Sequence, residues 1–302
     1  MLTIGVDVGN CNLKTSEKGI IFPSKLKLAE NLFDAEKELI FEDKKYILGE
    51  GEFDIELDKA SKESFLPLLC GALGLSTNEK FIRLVLGLPI NQFKTKKDKL
   101  LDTINNNKVL KFALNGSVRE IIITDTLIYP EGIGAYYSLD LAYRNTIKEK
   151  DIIILDIGGK TTDIALLKGG PKRIISKFTS LDIGMINIYS DLVNEINEKY
   201  TLGLKIEDAE NIIKNGLEVD NEKQDISYLK DIIKNNITEV FRELNTNYPV
   251  RTCPLLVLGG GGEAYFKAIK KRYATAQLIE DYMFANAIGF KKIGEKTWRE
   301  WE

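Results

Sequence analysis

Residues 151–168 read DIIILDIGGKTTDIALLK. An apolar run, Ile152 to Leu155, ends in Asp156; the polar turn Gly158-Gly159-Lys160-Thr161-Thr162 follows, and a second apolar run spans Ile164 to Leu167. This layout predicts a β-hairpin whose tip carries little side-chain bulk, so backbone N–H groups can approach an anion closely. Asp156 and Asp163 flank the tip, and carboxylates beside a phosphate make chemical sense chiefly when a divalent cation neutralises both. A glycine-rich turn alone is as readily structural as functional. The first residues of the chain weigh on that choice.

Residues 2–8, LTIGVDV, alternate as a buried strand, and Gly9-Asn10-Cys11-Asn12 make a turn before Leu13-Lys14. Asp7 stands at the strand end, just before the glycine. The segment DVGNCNLK therefore repeats the layout of DIGGKTTDIALLK: apolar strand, Asp, Gly-containing polar turn, return strand. Two such hairpins point to a duplicated α/β unit with one phosphate loop from each half. The alternative is a pair of ordinary hairpins in which Asp serves turn chemistry.

Composition narrows the chemistry. The chain has 302 residues, 44% hydrophobic and 29% charged, enough for a sizeable core and for two domains. A net charge of -3 argues against a basic nucleic-acid footprint over the whole surface. Three isolated cysteines (Cys11, Cys70, Cys253) give no disulfide framework or zinc spacing and fit a reducing cytoplasm. There is no histidine, which removes Ser-His-Asp, Cys-His and histidine–metal chemistry and leaves carboxylates, hydroxyls, lysines and backbone. The amino terminus lacks a signal-peptide pattern, and no stretch approaches the ~18 apolar residues of a membrane span.

Between the two hairpins, residues 20–51 read as short strands, with Glu42-Asp43-Lys44-Lys45 as a hairpin tip. Residues 62–75 read as partly helical, 84–88 as a buried strand, 93–105 as a charged helix, and 109–114 and 118–124 as strands. In TLIYPEGIGAYYSLDLAY (126–143), Pro130 reads as a helix start with Glu131 in its first turn, and the small residues predict close packing against another backbone. After the central hairpin come a return strand at 173–179, helices at 185–200, 205–215 and 228–244, and a polar loop or short hairpin at 217–227. A buried strand then runs into Gly259, Gly260, Gly261 and Gly262, with helix-compatible residues at 265–271. Such a strand–glycine–helix layout lets backbone lie flat against a nucleotide. It lacks both the G-x-G-x-x-G dinucleotide pattern and the GK[ST] ending of a P-loop. DYMFANAIGF (281–290) reads as a tightly packed helix, and GEKTWREWE as a charged tail with two exposed tryptophans.

Taken in order, DVGN, YPEGIGA, DIGGKTTD, LGGGGE and ANAIGF resemble the actin-like ATPase superfamily, which also holds heat-shock chaperone ATPases and sugar kinases. The five stretches match phosphate loop one, a first connecting helix, phosphate loop two, an adenosine motif and a second connecting helix. The resemblance implies an α/β, actin-like fold: two duplicated RNase H-like lobes around a nucleotide cleft. Lobe I would be residues 1–145 plus 283–302, with an outer insertion at about 20–80. Lobe II would be residues 146–282, with an outer insertion at about 185–250. Within the superfamily the match is closest to plasmid-segregation actins of the ParM/StbA type. The length leaves no room for a chaperone substrate domain, the PEG at 130–132 matches the glutamate that positions the attacking water, and no terminal amphipathic membrane helix is visible.

That resemblance carries roles residue by residue. Asp7 and Asp156 would hold Mg2+ through its waters. Gly9, Asn10, Asn12 and Lys14 in the first loop, and Gly158, Gly159 and Thr161 in the second, would clamp the phosphates of ATP or GTP. Lys14 also reads as an ordinary surface lysine. Glu131 would orient the attacking water; complementing a helix dipole is its simpler reading. Asp163 would hold the loop or a metal-bound water. Gly259 to Gly262 would line base and ribose, and Glu207 and Lys214 lie on the helix that touches base or ribose in relatives, a spacing that equally suits a surface helix. The implied activity is a nucleoside triphosphatase coupled to head-to-tail polymerisation that segregates plasmid DNA. Its partners would be other copies of the chain and a DNA-binding adaptor on a centromere-like repeat; DNA is contacted indirectly and no membrane is involved. The alternative is a small-molecule kinase of the sugar or pantothenate type, for which Asp125 and Asp182 are the nearest candidate bases.

Overall fold

The structure, a computed structural model, describes residues 1–29, 37–53 and 62–300. Part of the segment expected as an outer insertion, and Trp301, lie outside the described residues. Strands β1 (Leu2–Val8) and β10 (Ile152–Ile157) form where the two quoted hairpins begin, and both are buried along almost their whole length. Runs rich in Ile and Val favour such doubly covered central strands.

Two sheets are built around them. The first runs β3 (Ile21–Pro23), β2 (Asn12–Thr15), β1, β7 (Phe81–Leu88), β9 (Ser117–Pro130), β8 (Val109–Leu114), β5 (Glu38–Phe41), β6 (Lys44–Phe53), β4 (Lys25–Leu28). The second runs β12 (Ile174–Leu181), β11 (Thr162–Lys168), β10, β15 (Leu255–Leu258), β16 (Ala276–Leu278). The first five strands of one order repeat the other: three antiparallel neighbours, then two parallel additions. The duplication read from the hairpins is thus present in the topology. A small hairpin, β13 (Leu217–Val219) and β14 (Glu222–Gln224), stands apart.

Helices α1 (Phe65–Ser76) and α2 (Ile90–Asn106) accompany the first sheet. Helices α3 (Ile133–Ser138) and α4 (Leu141–Ile147) link the two sheets, and α5 (Met185–Tyr200), α6 (Ala209–Asn215), α7 (Leu229–Asn247) and α8 (Gly260–Arg272) belong with the second. The last helix, α9 (Ala285–Arg299), returns to pack on β1, β7 and α3. At the expected hairpin tip, Glu42 and Asp43 both take positive φ, the geometry of a tight two-residue turn.

Four expectations need correction. Pro130 is the last residue of β9, not a helix start: Leu88 pairs with Pro130, and Glu131 N–H donates to Leu88 O at 2.8 Å, so strand pairing carries the chain past the proline. Glu131 therefore precedes α3, whose cap is Gly132 at φ +80°. Helix α8 starts at Gly260, well before residue 265. Residues 294–299 of the tail are the second half of α9, and Trp298 is 2% exposed, packed with Val85 and Phe290.

The crossing of α3 and α9 is closer than side chains allow. A Cβ placed on Gly289 would overlap the backbone carbonyl of Gly134, and one on Gly134 would stand 2.9 Å from Asn286 O. Backbone cannot rotate away as a side chain can. Gly289→Ala is expected to cost the upper part of the ~1–3 kcal/mol typical of overpacking, outweighing about 1 kcal/mol of gained helix propensity. A lowered urea midpoint checks this; an unchanged or raised midpoint contradicts the close crossing.

Candidate active site between the two phosphate loops

Each hairpin places its aspartate at the same position. Asp7 lies opposite Lys14 across β1 and β2, and Asp156 lies opposite Asp163 across β10 and β11. The cross-strand partners differ in sign, and so do the consequences. Lys14 Nζ stands 3.8 Å from Asp7 Oδ2, with only 16% of its side chain exposed, so it is no ordinary surface lysine. Asp156 instead faces another carboxylate. Burial pushes its carboxyl up to about 7; Asp163 and Asp7 add to the rise, while Lys14 and the hydrogen bond from Asn286 oppose it.

The loop tips are oriented by their carbonyls. In the first loop, Gly9 O accepts from Ser24 Oγ at 2.6 Å and Cys11 O from Ser24 N at 2.8 Å. In the second, Gly158 O accepts from Met185 N at 3.1 Å and Gly159 O from Ile186 N at 2.8 Å, at the start of α5. Across a trans peptide the N–H points opposite to the carbonyl. The N–H groups of Asn10, Asn12, Gly159 and Lys160 are therefore turned away from Ser24 and α5. The two tips also touch: a Cβ on Gly159 would collide with the Cys11 side chain. Burial raises the Cys11 thiol, and Lys160, Lys14, Lys25 and Lys62 pull it back, so the field of four lysines converges where the loops meet. Such a mouth suits a polyphosphate. Thr161 Oγ1 donates to Asp163 Oδ2 at 3.2 Å, which fixes the tip from within.

Behind the loops lies a cavity of about 10 Å³, lined by Glu131, Asp156, Asp163, Ile90, Gly132 and Ile154 among others. That is about the room one water needs. Asn286, 4% exposed near the start of α9, ties this corner together: its Nδ2 donates to Asp156 Oδ2 at 3.1 Å and its Oδ1 accepts from Gly132 N–H at 2.9 Å. Sequence reasoning misses Asn286 within ANAIGF. A lone amide among the small and apolar residues that open this helix (Ala285, Ala287, Ile288, Gly289, Phe290) is the signal that marks it.

The glycine run packs against the second loop's strand. Gly259, at φ +84°, stands so close that a Cβ would meet Asp156 Oδ1 at 2.7 Å. Gly261 and Gly262 are also buried, pressed on Ile157 and Val257, whereas Gly260 opens to space. Glu207, in a 3-10 turn before α6, accepts from Lys25 Nζ at 3.0 Å; a bond from its own backbone N–H and this one hold its carboxyl low. Lys214 is exposed near the end of α6. Asp125 is engaged elsewhere, accepting from Arg83 at 3.4 Å and Thr124 at 3.1 Å, and Asp182 is exposed between β12 and α5.

The residues present fit a hydrated divalent cation. Asn10 Oδ1 is buried with no hydrogen-bond partner, an acceptor of the kind a metal-bound water satisfies. Among the described residues no cluster of three or more Asp, Glu, Cys or His could cage a bare ion. Mg2+ ordinarily keeps several waters and leans on one or two carboxylates plus phosphate oxygens.

Comparison with known proteins bears on the family and the fold. The family profile "Actin like proteins N terminal domain" matches residues 5–134, and "Archaeal actin homologue MreB-like, C-terminal" matches residues 154–271. An archaeal actin homolog of Thermoplasma acidophilum is 26% identical, covering 98% of this chain and all (100%) of that protein. A crystal structure of an archaeal actin homolog superposes with a TM-score of 0.85 at 23% identity, covering 98% of this chain and 100% of that one; that homolog has also been solved in complex with ADP. The subunit of a 15-stranded ParM filament from Clostridium botulinum superposes with a TM-score of 0.83 at 23% identity, covering 98% and 100%. No helix among the described residues is long and apolar enough to cross a membrane. The repeated sheets, the paired loops and both profile matches place the chain by one reading: it belongs to the actin-like ATPase superfamily and has the actin-like fold.

Proposed function

We propose that the chain is a nucleoside triphosphatase whose turnover controls the life of a filament made of its own copies. The observation that carries this is the small cavity lined by both Glu131 and Asp156, in the corner that Asn286 ties to α9. Residues 1–145 with 283–302, and residues 146–282, are the two lobes we assign to it, with the nucleotide between the loops. Backbone N–H groups of both tips, Lys14 and Thr161 would bind the β- and γ-phosphates of ATP or GTP. Gly260, the open glycine at the start of α8, would face base or ribose. Bound Mg2+, held through its waters by Asp7 and Asp156, would neutralise charge on the phosphates. Glu131 would hold the attacking water in line and accept its proton. Positioning and charge neutralisation are most of what phosphoryl transfer asks of a protein.

Filament formation is supported by the ParM filament among the structural neighbours, and nucleotide binding by the neighbour solved with ADP. Head-to-tail stacking of a two-lobed molecule gives heterologous contacts that do not close, hence an open helix. The role we assign the filament is segregation of plasmid DNA in the cytoplasm, through a DNA-binding adaptor on a centromere-like repeat. The kinase alternative loses ground because Asp125 is engaged by Arg83 and Asp182 is exposed.

Right-angle light scattering with phosphate release, after addition of Mg-ATP or Mg-GTP, tests the proposal. The expected trace rises above a critical concentration and decays as phosphate appears. Flat scattering with phosphate released only when a small metabolite is added would favour the kinase.

A further inference from the structure

A buried lysine joins the two halves at the mouth of the site. Lys25, at the start of β4 in the first sheet, keeps only 8% of its side chain exposed, and its Nζ donates to Glu207 Oε1 at 3.0 Å. Glu207 belongs to the second half, 182 residues away in sequence, and its side chain is 53% exposed. The residue before Lys25 is Ser24, whose hydroxyl and N–H hold the carbonyls of Gly9 and Cys11 in the first loop. A mechanical line thus runs from Glu207 through Lys25 and Ser24 to the first phosphate loop. It passes beside Cys11, where the fields of Lys14, Lys25, Lys62 and Lys160 converge.

We infer that Lys25 is a positioning residue whose ion pair with Glu207 clasps the cleft and limits how fast a nucleotide leaves; this rests on the nucleotide reading given above. Separating the halves must break this bond and bring water to a charge pair whose lysine is buried, which costs free energy. The pair therefore favours the closed arrangement, and opening requires its exchange. Glu207, which the family resemblance assigns to ribose or base, is held at the rim by the same bond.

The test compares the wild type with Lys25→Gln, Glu207→Gln and the charge-swapped double variant Lys25→Glu/Glu207→Lys. Release of a fluorescent ADP analogue, chased by excess ADP, is expected to be at least tenfold faster in each single variant. In the swapped pair it should return to within about threefold of wild type, a rescue that a merely structural role for either residue would not give. Single variants that release at the wild-type rate, or a swapped pair as fast as the singles, would overturn the clasp.

A second readout needs no nucleotide. Cys11 is the partly exposed cysteine, while Cys70 and Cys253 are buried. Iodoacetamide should modify Cys11 at least threefold faster in Glu207→Gln, with Cys70 and Cys253 still protected as a check on folding. An unchanged Cys11 rate overturns the clasp, whereas failure of the wild type to bind the ADP analogue would overturn the nucleotide reading and leave this measurement to judge the clasp.

Discussion

Glu131→Gln is expected to lower phosphate release by roughly 10²–10⁴-fold, the span that general-base and water-positioning groups typically supply. The substitution keeps the shape of the side chain and its place in the wall of the water-sized cavity. It removes only the capacity to accept a proton and the charge that orients the water. Neither loop donor nor Lys14 is touched, so nucleotide affinity should stay within about threefold of wild type. Filaments of this variant should form with the triphosphate and persist, because the step that loosens them no longer occurs. Parallel measurements of phosphate release, binding and scattering decide the matter. Wild-type release by Glu131→Gln would remove Glu131 from the mechanism, and loss of binding together with release would make it a structural residue.

Asp156→Asn should stabilise the free protein at alkaline pH while crippling its use of Mg-nucleotide. Burial raises the Asp156 carboxyl to about 7, against about 3.9 in an unfolded chain. Between those values the folded state holds a proton that the unfolded state has lost. Stability therefore falls as pH rises from about 4 to about 7, and the penalty is constant above that. Ionising the carboxyl in its buried place thus costs the fold at most about 4 kcal/mol. Asparagine cannot ionise and still accepts the hydrogen bond from Asn286. In urea titrations the variant should exceed wild type by roughly 2–4 kcal/mol at pH 8, the gap closing towards pH 4. Carboxylates remote from Asp156 titrate in both proteins and cancel in the difference; only Asp163 and Asp7, whose charges act on Asp156, are altered with it. A gap that does not change with pH, or a less stable variant at pH 8, would contradict this account of the buried carboxyl. The same ionisation predicts proton release when the wild type takes up Mg-nucleotide below pH 7, since the cation favours the charged form.

The local parts of the fold and site are legible in the sequence. Both hairpins are written in contiguous apolar runs ending in Asp, and the glycines of each tip lie within a few residues. The repeat of one layout in the other announces the duplicated sheets. What is not legible depends on residues far apart. Asn286 reaches Asp156 across 130 positions, and Lys25 reaches Glu207 across 182; no local pattern records either. Pro130 misleads because a proline before Glu and Gly reads as a helix start, whereas pairing with Leu88 in a parallel ladder overrides that preference. Trp298 misleads because charge density in GEKTWREWE hides a helical stripe: Phe290, Gly294 and Trp298 recur every fourth residue, and the Trp298 ring lies against Gly294 and under Arg83. Of the four glycines, only packing against Ile157 and Val257 distinguishes the buried ones from Gly260.

Every role assigned above depends on the meeting point of the two loops being a nucleotide site. Calorimetric titration of ATP and of GTP into the wild-type protein, with and without Mg2+, asks that alone. The prediction is one Mg2+-dependent site per chain for at least one of the two nucleotides, abolished in Gly159→Val, whose side chain would occupy the contact with Cys11. No binding of either nucleotide with Mg2+ present, or equal binding by Gly159→Val, would contradict it.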